Sequence, residues 1–217
     1  VKVASLIAKK IHKYLKTQSK VVLAIPGGRS VSGIFGLLKN QSIPWDKVHI
    51  FMVDEKLVSS DHPDSNFGQA ENFLLEYLGK QHKIPGKNLH PYIYFNLEDE
   101  QGTVAYKNEL KGISDKFDIV LLSSGEDGHI AGLFPHYSIK ITDSFYSIID
   151  NSPKPPARRL TACRKLIEKS QTAILLFFGE SKAQALKNFE DKKLSVFDCP
   201  AKLVQSVKDS HIFSDIK

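Results

Sequence analysis

The sequence predicts an α/β protein: a single domain over residues 1–217, built as a three-layer α/β/α sandwich around a mostly parallel, Rossmann-like sheet. Three observations carry this. Apolar runs of strand length recur at 21–25, 48–53, 117–122 and 172–178, and runs this continuous are expected of strands covered on both faces. Segments with apolar residues at helical spacing lie between them, the alternation that parallel crossovers require. The first three runs also stop abruptly at small or titratable residues: Pro26 to Ser30, Asp54 to Lys56, and Ser123 to His129. In open sheets the crevice beyond the carboxyl ends of the strands is where ligands bind.

Each element follows from local pattern. Val3, Ile7, Ile11, Tyr14 and Leu15 fall at helical spacing with lysines on the other side, an amphipathic opening helix over 1–17. The strand 21–25 runs into Pro26-Gly27-Gly28-Arg29-Ser30 and a helix over 31–38. Free N–H groups at such a helix start can hold an anion. The glycine spacing matches neither the dinucleotide fingerprint nor the P-loop, so a plain tight turn is the alternative. After the strand 48–53 comes a polar loop, 59–65, and Ser65 or Asn66 can cap a helix carrying Phe67, Ala70, Phe73, Leu74 and Tyr77, with Gly79 placed to end it. Residues 80–97 read as irregular, with Pro85-Gly86 and Pro91 as breakers, and 98–113 as a weakly patterned helix.

The stretch 117–135, FDIVLLSSGEDGHIAGLFP, organises the rest, because Glu126, Asp127 and His129 follow directly on a buried strand. A strand is expected over 144–149, then the loop NSPKPPARR at 151–159, whose prolines hold its basic groups with less freedom left to lose. The last strand-length run is followed by Gly179 and a helix over 180–190 with Ala183, Leu186 and Phe189 on one face. A short helix from Cys199-Pro200 through Leu203 and an edge strand over 210–216 complete the pattern.

Bulk composition narrows the function classes. With 41% hydrophobic and 25% charged residues the chain falls in the ordinary soluble range. No stretch approaches the roughly 20 apolar residues of a membrane helix. Two cysteines, Cys163 and Cys199, fit a reducing compartment and a cytoplasmic location. The formal charge is +6, yet the basic residues are dispersed and the aromatics sit inside apolar runs. That excludes the basic, aromatic-laced stripe of a nucleic-acid binder and suits a small phosphorylated substrate. No membrane partner is expected, and the assembly expected is a monomer or small homo-oligomer.

The candidate chemistry centres on His129. A neutral histidine can take a proton from water, and a neighbouring carboxylate such as Asp127 can fix its tautomer; the bland alternative for Asp127 is a cap on a short helix through Phe134. Asp54 and Glu55 are adjacent and point opposite ways on an extended backbone. Asp54 is expected to face the crevice, with Glu55 a buried structural acid or a positioning residue. Arg29, Lys56 and Arg159 are candidates for a phosphate, or else solvated surface charges. There is no Gly-x-Ser-x-Gly elbow, no His-Glu-x-x-His and no Cys-x-x-Cys, so neither a serine hydrolase nor a zinc enzyme is indicated. Asp61, His62 and Asp64 offer only a weak imitation of a metal site, and neither metal nor cofactor is expected.

The chain resembles the family that groups 6-phosphogluconolactonases with glucosamine-6-phosphate deaminases. The resemblance rests on PGGRS at 26–30, VDEKLV at 53–58, DHPDSN at 61–66, the GEDGHIAGLFP run, SPKPPARRLT at 152–161 and GESKAQAL at 179–186, in the family's order. DHPDSN, Leu133-Phe134-Pro135 and the SPKPP loop favour the lactonase branch. Departures are Lys56 where arginine is usual, Arg29-Ser30-Val31 for the usual Ser-Thr-Pro, and Gly132 where serine is common. The resemblance implies hydrolysis of 6-phospho-D-glucono-1,5-lactone without a metal, in the oxidative pentose phosphate pathway. His129 would be the base, assisted by Asp127 and Asp54. It implies substrate binding by Gly27, Gly28, Arg29, Ser30, Lys56, Gly128, Lys154 and Arg159, with glycine-turn N–H groups meeting the oxyanion. The alternatives are a glucosamine-6-phosphate deaminase, with Asp54 shuttling a proton, and a non-catalytic sugar-phosphate-binding protein.

Overall fold

A computed structural model describes residues 1–94, 99–137 and 145–216, and of Arg29 and residues 99–101 only the backbone. The elements run α1 (Lys2–Tyr14), β1 (Val21–Ile25), α2 (Arg29–Leu38), β2 (Val48–Met52), β3 (Asp54–Lys56), α3 (Asn66–Ala70), α4 (Glu76–Lys80), β4 (Leu89–His90) and α5 (Asp99–Ile113). The second half adds β5 (Ile119–Ser123), β6 (Tyr146–Ile149), β7 (Arg159–Ala162), α6 (Arg164–Glu168), β8 (Thr172–Phe177), α7 (Ala183–Glu190) and β9 (Asp209–Ser214).

Six strands form one sheet in the order β4-β2-β1-β5-β8-β9, every pair parallel. The α/β/α expectation holds. Period-two alternation sends Val21, Leu23, Ile25, Ile119 and Leu121 to one face, under α1, α2 and the α3–α4 run. Val22, Ala24, Val120 and Leu122 face the other side, under α5, α6 and α7. From β1 the chain builds outward through β2 to β4, then returns and builds the opposite way through β5, β8 and β9. The order therefore reverses between β1 and β5, and such a reversal opens a crevice at the carboxyl ends of those two strands.

A second, three-stranded sheet was not anticipated. β3, β7 and β6 pair antiparallel, with Asp54 opposite Thr161 and Lys56 opposite Arg159. The stretch read as the end of a buried strand and the last residue of the proline loop are thus neighbours. This sheet hangs from β2 through Ala162 N–H, which donates to Val53 O at 2.7 Å.

Several local expectations change. Ser65 does cap α3, its Oγ accepting from Gly68 N–H at 3.0 Å. Leu74 is buried as expected, but a π turn at Glu71–Leu75 shifts the register, so Phe73 is 46% exposed, Leu75 and Leu78 are buried in its place, and the run continues past Gly79 to Lys80. Lys10 lies on the buried side of α1 and pairs with Asp209 at 2.5 Å. The short helix expected through Phe134 is not formed: Ile130 and Leu133 form a bridge and Ala131 has φ 51°, so Asp127 is not a helix cap. After Gly179 a 3-10 turn precedes α7, and the inward face is Lys182, Ala185 and Phe189. Leu89–His90 adds a short edge strand within the stretch read as irregular. Residues 95–97, and the first residues of the helix expected over 98–113 and the strand expected over 144–149, lie outside the described residues. Among the described residues no helix is long and apolar enough to cross a membrane.

Candidate active site

The carboxyl ends of β1, β2, β5 and β8 border one cleft of about 320 Å³. It is lined by Gly27, Gly28 and Ser30 after β1, Asp54 and Lys56 after β2, and Ser123 to Glu126 and His129 after β5. Lys154 and Arg159 reach it from the proline loop and β7, and Lys182 from beyond β8. The three strand-end clusters therefore converge, and β8 contributes a fourth.

His129 is held from three sides. Its Nδ1 lies 2.5 Å from Asp127 Oδ1, which also accepts from the His129 backbone N–H at 3.2 Å. Phe134 packs against the ring at 4.6 Å between centroids. Gly125 leaves the space: a Cβ there would sit about 2.0 Å from the imidazole. The turn closes through Gly125 N–H to His129 O and Gly128 N–H to Gly125 O, with Gly128 at φ +86°, where a side chain would be strained. Burial alone would raise the Asp127 carboxyl. The hydrogen bond and charge of His129, the His129 backbone N–H and the ammonium of Lys154 outweigh it and hold the carboxyl well below its usual range. Asp127 is thus an anion, Nδ1–H donates to it, and Nε2 is left as the basic nitrogen.

The Asp54–Glu55 pair divides its roles. Glu55 Oε1 accepts from Lys56 N–H at 2.8 Å and Asn66 N–H at 2.7 Å, and Oε2 from Phe67 N–H at 2.8 Å. It is the structural acid, closing the 56–66 loop onto the start of α3, and burial pushes it up to about 7 against those donors. Asp54 turns to the cleft, where Asn66 Nδ2 donates to its Oδ2 at 3.0 Å. Burial raises its pKa, while Arg159, Lys56 and His129 pull it down. Asn66 also packs on Gly27 so closely that a Cβ would fall about 2.2 Å from Oδ1, which joins the first two strand ends.

The cations are unequally committed. Arg159 gives Nε to Pro156 O at 3.2 Å and Nη2 to Lys154 O and Pro155 O at 3.2 and 2.9 Å. It stands 5.7 Å over the Phe134 ring, so it ties the proline loop to the His129 turn. Lys56 donates to Asp64 O at 2.8 Å. Lys154 Nζ lies 3.6 Å from Asp127 Oδ2. Lys182 was assigned no role from the sequence. It is buried, and among the described residues its ammonium hydrogen-bonds to two hydroxyls, Ser30 Oγ and Ser123 Oγ, both at 2.9 Å. Burial lowers its pKa, with Glu126 and Asp215 opposing. The rule that flagged the other strand ends would have found it, since Gly179-Glu180-Ser181-Lys182 directly follows the β8 run.

Of the remaining expectations, the side chain of Arg29 lies outside the described residues. Gly128 does not line the cleft; it backs onto Cys199, whose Sγ a Cβ would meet at 2.9 Å, and serves the turn instead. The amides of Gly28, Gly125 and Gly128 already have acceptors, Gly28 N–H on Gln69 Oε1 at 2.8 Å, Gly125 N–H on His129 O and Gly128 N–H on Gly125 O. Among the described residues no group of three or more His, Cys, Asp or Glu side chains could hold a metal ion.

Fold and site together define an α/β protein with a carboxylate–histidine pair in a cation-rimmed cleft at the switch point of a parallel sheet. The chain belongs to the family described as glucosamine-6-phosphate isomerases/6-phosphogluconolactonase, whose profile matches residues 1–213. It is 32% identical over 207 residues to a 6-phosphogluconolactonase of Synechocystis sp., covering 92% of this chain and 83% of that one. The 6-phosphogluconolactonase of Borreliella burgdorferi is 30% identical over 196 residues, with 90% and 83% covered. The crystal structure of the Thermotoga maritima 6-phosphogluconolactonase superposes with a TM-score of 0.84 at 27% identity, covering 98% of this chain and 93% of that one.

Proposed function

We propose that this protein hydrolyses 6-phospho-D-glucono-1,5-lactone to 6-phosphogluconate, with His129 as the general base. The observation that carries the reading is the 2.5 Å contact between His129 Nδ1 and an ionised Asp127, in a cleft that also presents Lys56, Lys154, Arg159 and Lys182. It is supported by the names of the relatives the chain matches over nine tenths of its length. Water held at Nε2 loses its proton to His129 as it attacks the lactone carbonyl. Asp127 stabilises the imidazolium, and the proton returns to the ring oxygen as the C–O bond breaks. Positioned base help contributes about 10²- to 10⁴-fold, a large share of what a lactone that already hydrolyses in water requires.

Lys182 with Ser30 beside it, the outer edge of Arg159 and the Lys154 ammonium are the groups we assign to the phosphate. A buried ammonium whose partners are neutral hydroxyls is completed by a dianion. We assign the developing oxyanion to the cleft's ammonium groups, since the amides of Gly28, Gly125 and Gly128 already have acceptors. A fresh-lactone assay, corrected for spontaneous loss, tests the reading; no acceleration over buffer would leave a sugar-phosphate-binding protein.

A second reading has one observation behind it. Asp54 lines the same cleft and burial raises its pKa, as a proton shuttle between adjacent carbons would need. Ammonia release from glucosamine 6-phosphate would establish that reaction instead.

A further inference from the structure

Asp127 divides its carboxylate. Oδ1 meets His129 Nδ1 at 2.5 Å, and Oδ2 faces the ammonium of Lys154 at 3.6 Å. The two contacts differ in kind. The first is a hydrogen bond; the second is an ion pair without one, made by a side chain that is 41% exposed at the cleft. The backbone of Lys154 is pinned: Ser152 Oγ donates to its carbonyl at 2.9 Å and accepts from its N–H at 3.2 Å, and Arg159 Nη2 reaches the same carbonyl. Its base is fixed while its charged tip is loosely held.

We propose that Lys154 sets the basicity of His129 by sharing Asp127, and that an anionic ligand raises that basicity by drawing the Lys154 ammonium onto itself. The proposal rests on His129 as the base. A carboxylate beside an imidazole favours the imidazolium, and an ammonium on its other oxygen offsets that effect. In the free protein Lys154 and His129 share the Asp127 carboxylate. A phosphate carries up to two negative charges and competes for the ammonium better than one carboxylate already shared. When Lys154 turns to it, Asp127 acts on His129 alone, at the stage where water is to be deprotonated.

The other charged groups around His129 are Asp54 and Lys56 from β3, Arg159 from β7 through Phe134, and Lys182 and Glu126 across the cleft. Cys199 lies behind Gly128. None of these is in contact with Asp127 Oδ2 as Lys154 is, so the Lys154 charge can be removed while they stay in place.

The test is an NMR titration of the His129 imidazole, assigned by its loss in His129→Asn. It compares wild type, Lys154→Met, Lys154→Gln and Lys154→Arg, each free and saturated with 6-phosphogluconate. In the free protein Lys154→Met and Lys154→Gln should titrate about half a unit to one unit above wild type, and Lys154→Arg close to wild type. Saturation should raise the wild-type value by more than it raises either neutral variant, because there only the ligand's own charge acts. Equal free values in wild type and the neutral variants, or equal rises on ligand binding, would overturn the proposal. A Lys154 that merely grips the phosphate would raise KM and leave the free titration unmoved, which also overturns it. If His129→Asn kept its turnover, the base assignment would fall, while the titration would still decide whether Lys154 governs the imidazole.

Discussion

The two ends of the parallel sheet use similar residues to opposite effect. At the amino ends of the strands the acids are satisfied by cations or by neutral donors. Asp209 accepts from Lys10 Nζ at 2.5 Å, Thr172 Oγ1 at 2.6 Å and pairs with His211 at 3.0 Å, while Tyr14 closes on Thr172. Asp118 accepts from Val22 N–H and Gln171 Nε2 at 2.7 and 2.5 Å. At the carboxyl ends cations gather with too few anions: Lys182 has hydroxyls, Arg159 and Lys56 have carbonyls, and Lys154 has half of a carboxylate. Satisfied charge holds the fold together, whereas the under-satisfied charge is what the proposed function assigns to a ligand. Substitutions should therefore move stability at one end and kinetics at the other.

The sharpest break of that contrast is at His129. His129→Asn should lower kcat for lactone hydrolysis by about 10²- to 10⁴-fold, with a melting temperature within a degree or two of wild type. A large loss of Tm would mean that the ring serves packing.

Next comes Lys182, where the contrast predicts opposite signs. Lys182→Met should raise KM by about 10- to 100-fold, the loss of one charge-assisted contact to phosphate. It should also leave Tm equal or higher, because an under-matched buried charge is replaced by an apolar chain of similar length. An unchanged KM would remove Lys182 from the phosphate site.

The mirror substitution is Asp209→Asn at the amino end. It should cost about 1–2 kcal/mol in denaturant unfolding, after allowance for partial exposure, and leave kcat and KM within about twofold of wild type. Although burial acts to raise its pKa, the Lys10, Thr172 and His211 contacts depress it from the ordinary 3.8 to about 2. An acid with a depressed folded pKa stabilises fully above its unfolded value, and that contribution is lost as pH falls through the folded one. The wild-type advantage over Asp209→Asn should thus be complete above about pH 4 and vanish toward pH 2.

The smallest effect is expected from Lys56→Arg. The guanidinium fork adds a second donor to an anion, so KM should fall by about two- to fivefold at constant kcat. A rise in KM would place Lys56 with the loop carbonyl of Asp64 and away from the ligand.

Much of this was legible in the chain, and the boundary has physical causes. β1, β2, β5 and β8 were readable because burial on both faces demands continuous apolar runs, and each stops where a crevice begins. His129, Asp127 and Asp54 were readable because those stops carry titratable residues. The β3-β7-β6 sheet was not, because Asp54–Lys56 and Arg159–Ala162 are short, partly charged strands whose pairing joins residues about a hundred positions apart. Phe73 misled because a π turn adds one residue to the helical count, and period-based reading has no way to sense it.

By itself, then, the sequence determined the layered parallel fold and the place of the cleft, since both depend on local apolar pattern and on where it is interrupted. Only the tertiary structure decided which charges are spent and which are spare. It gave Glu55 to the loop and Asp54 to the cleft, turned Arg159 partly into a clamp, and brought Lys182 in beside Ser30 from 152 positions away. Those assignments depend on distance and burial between segments remote in the chain, which no local pattern encodes.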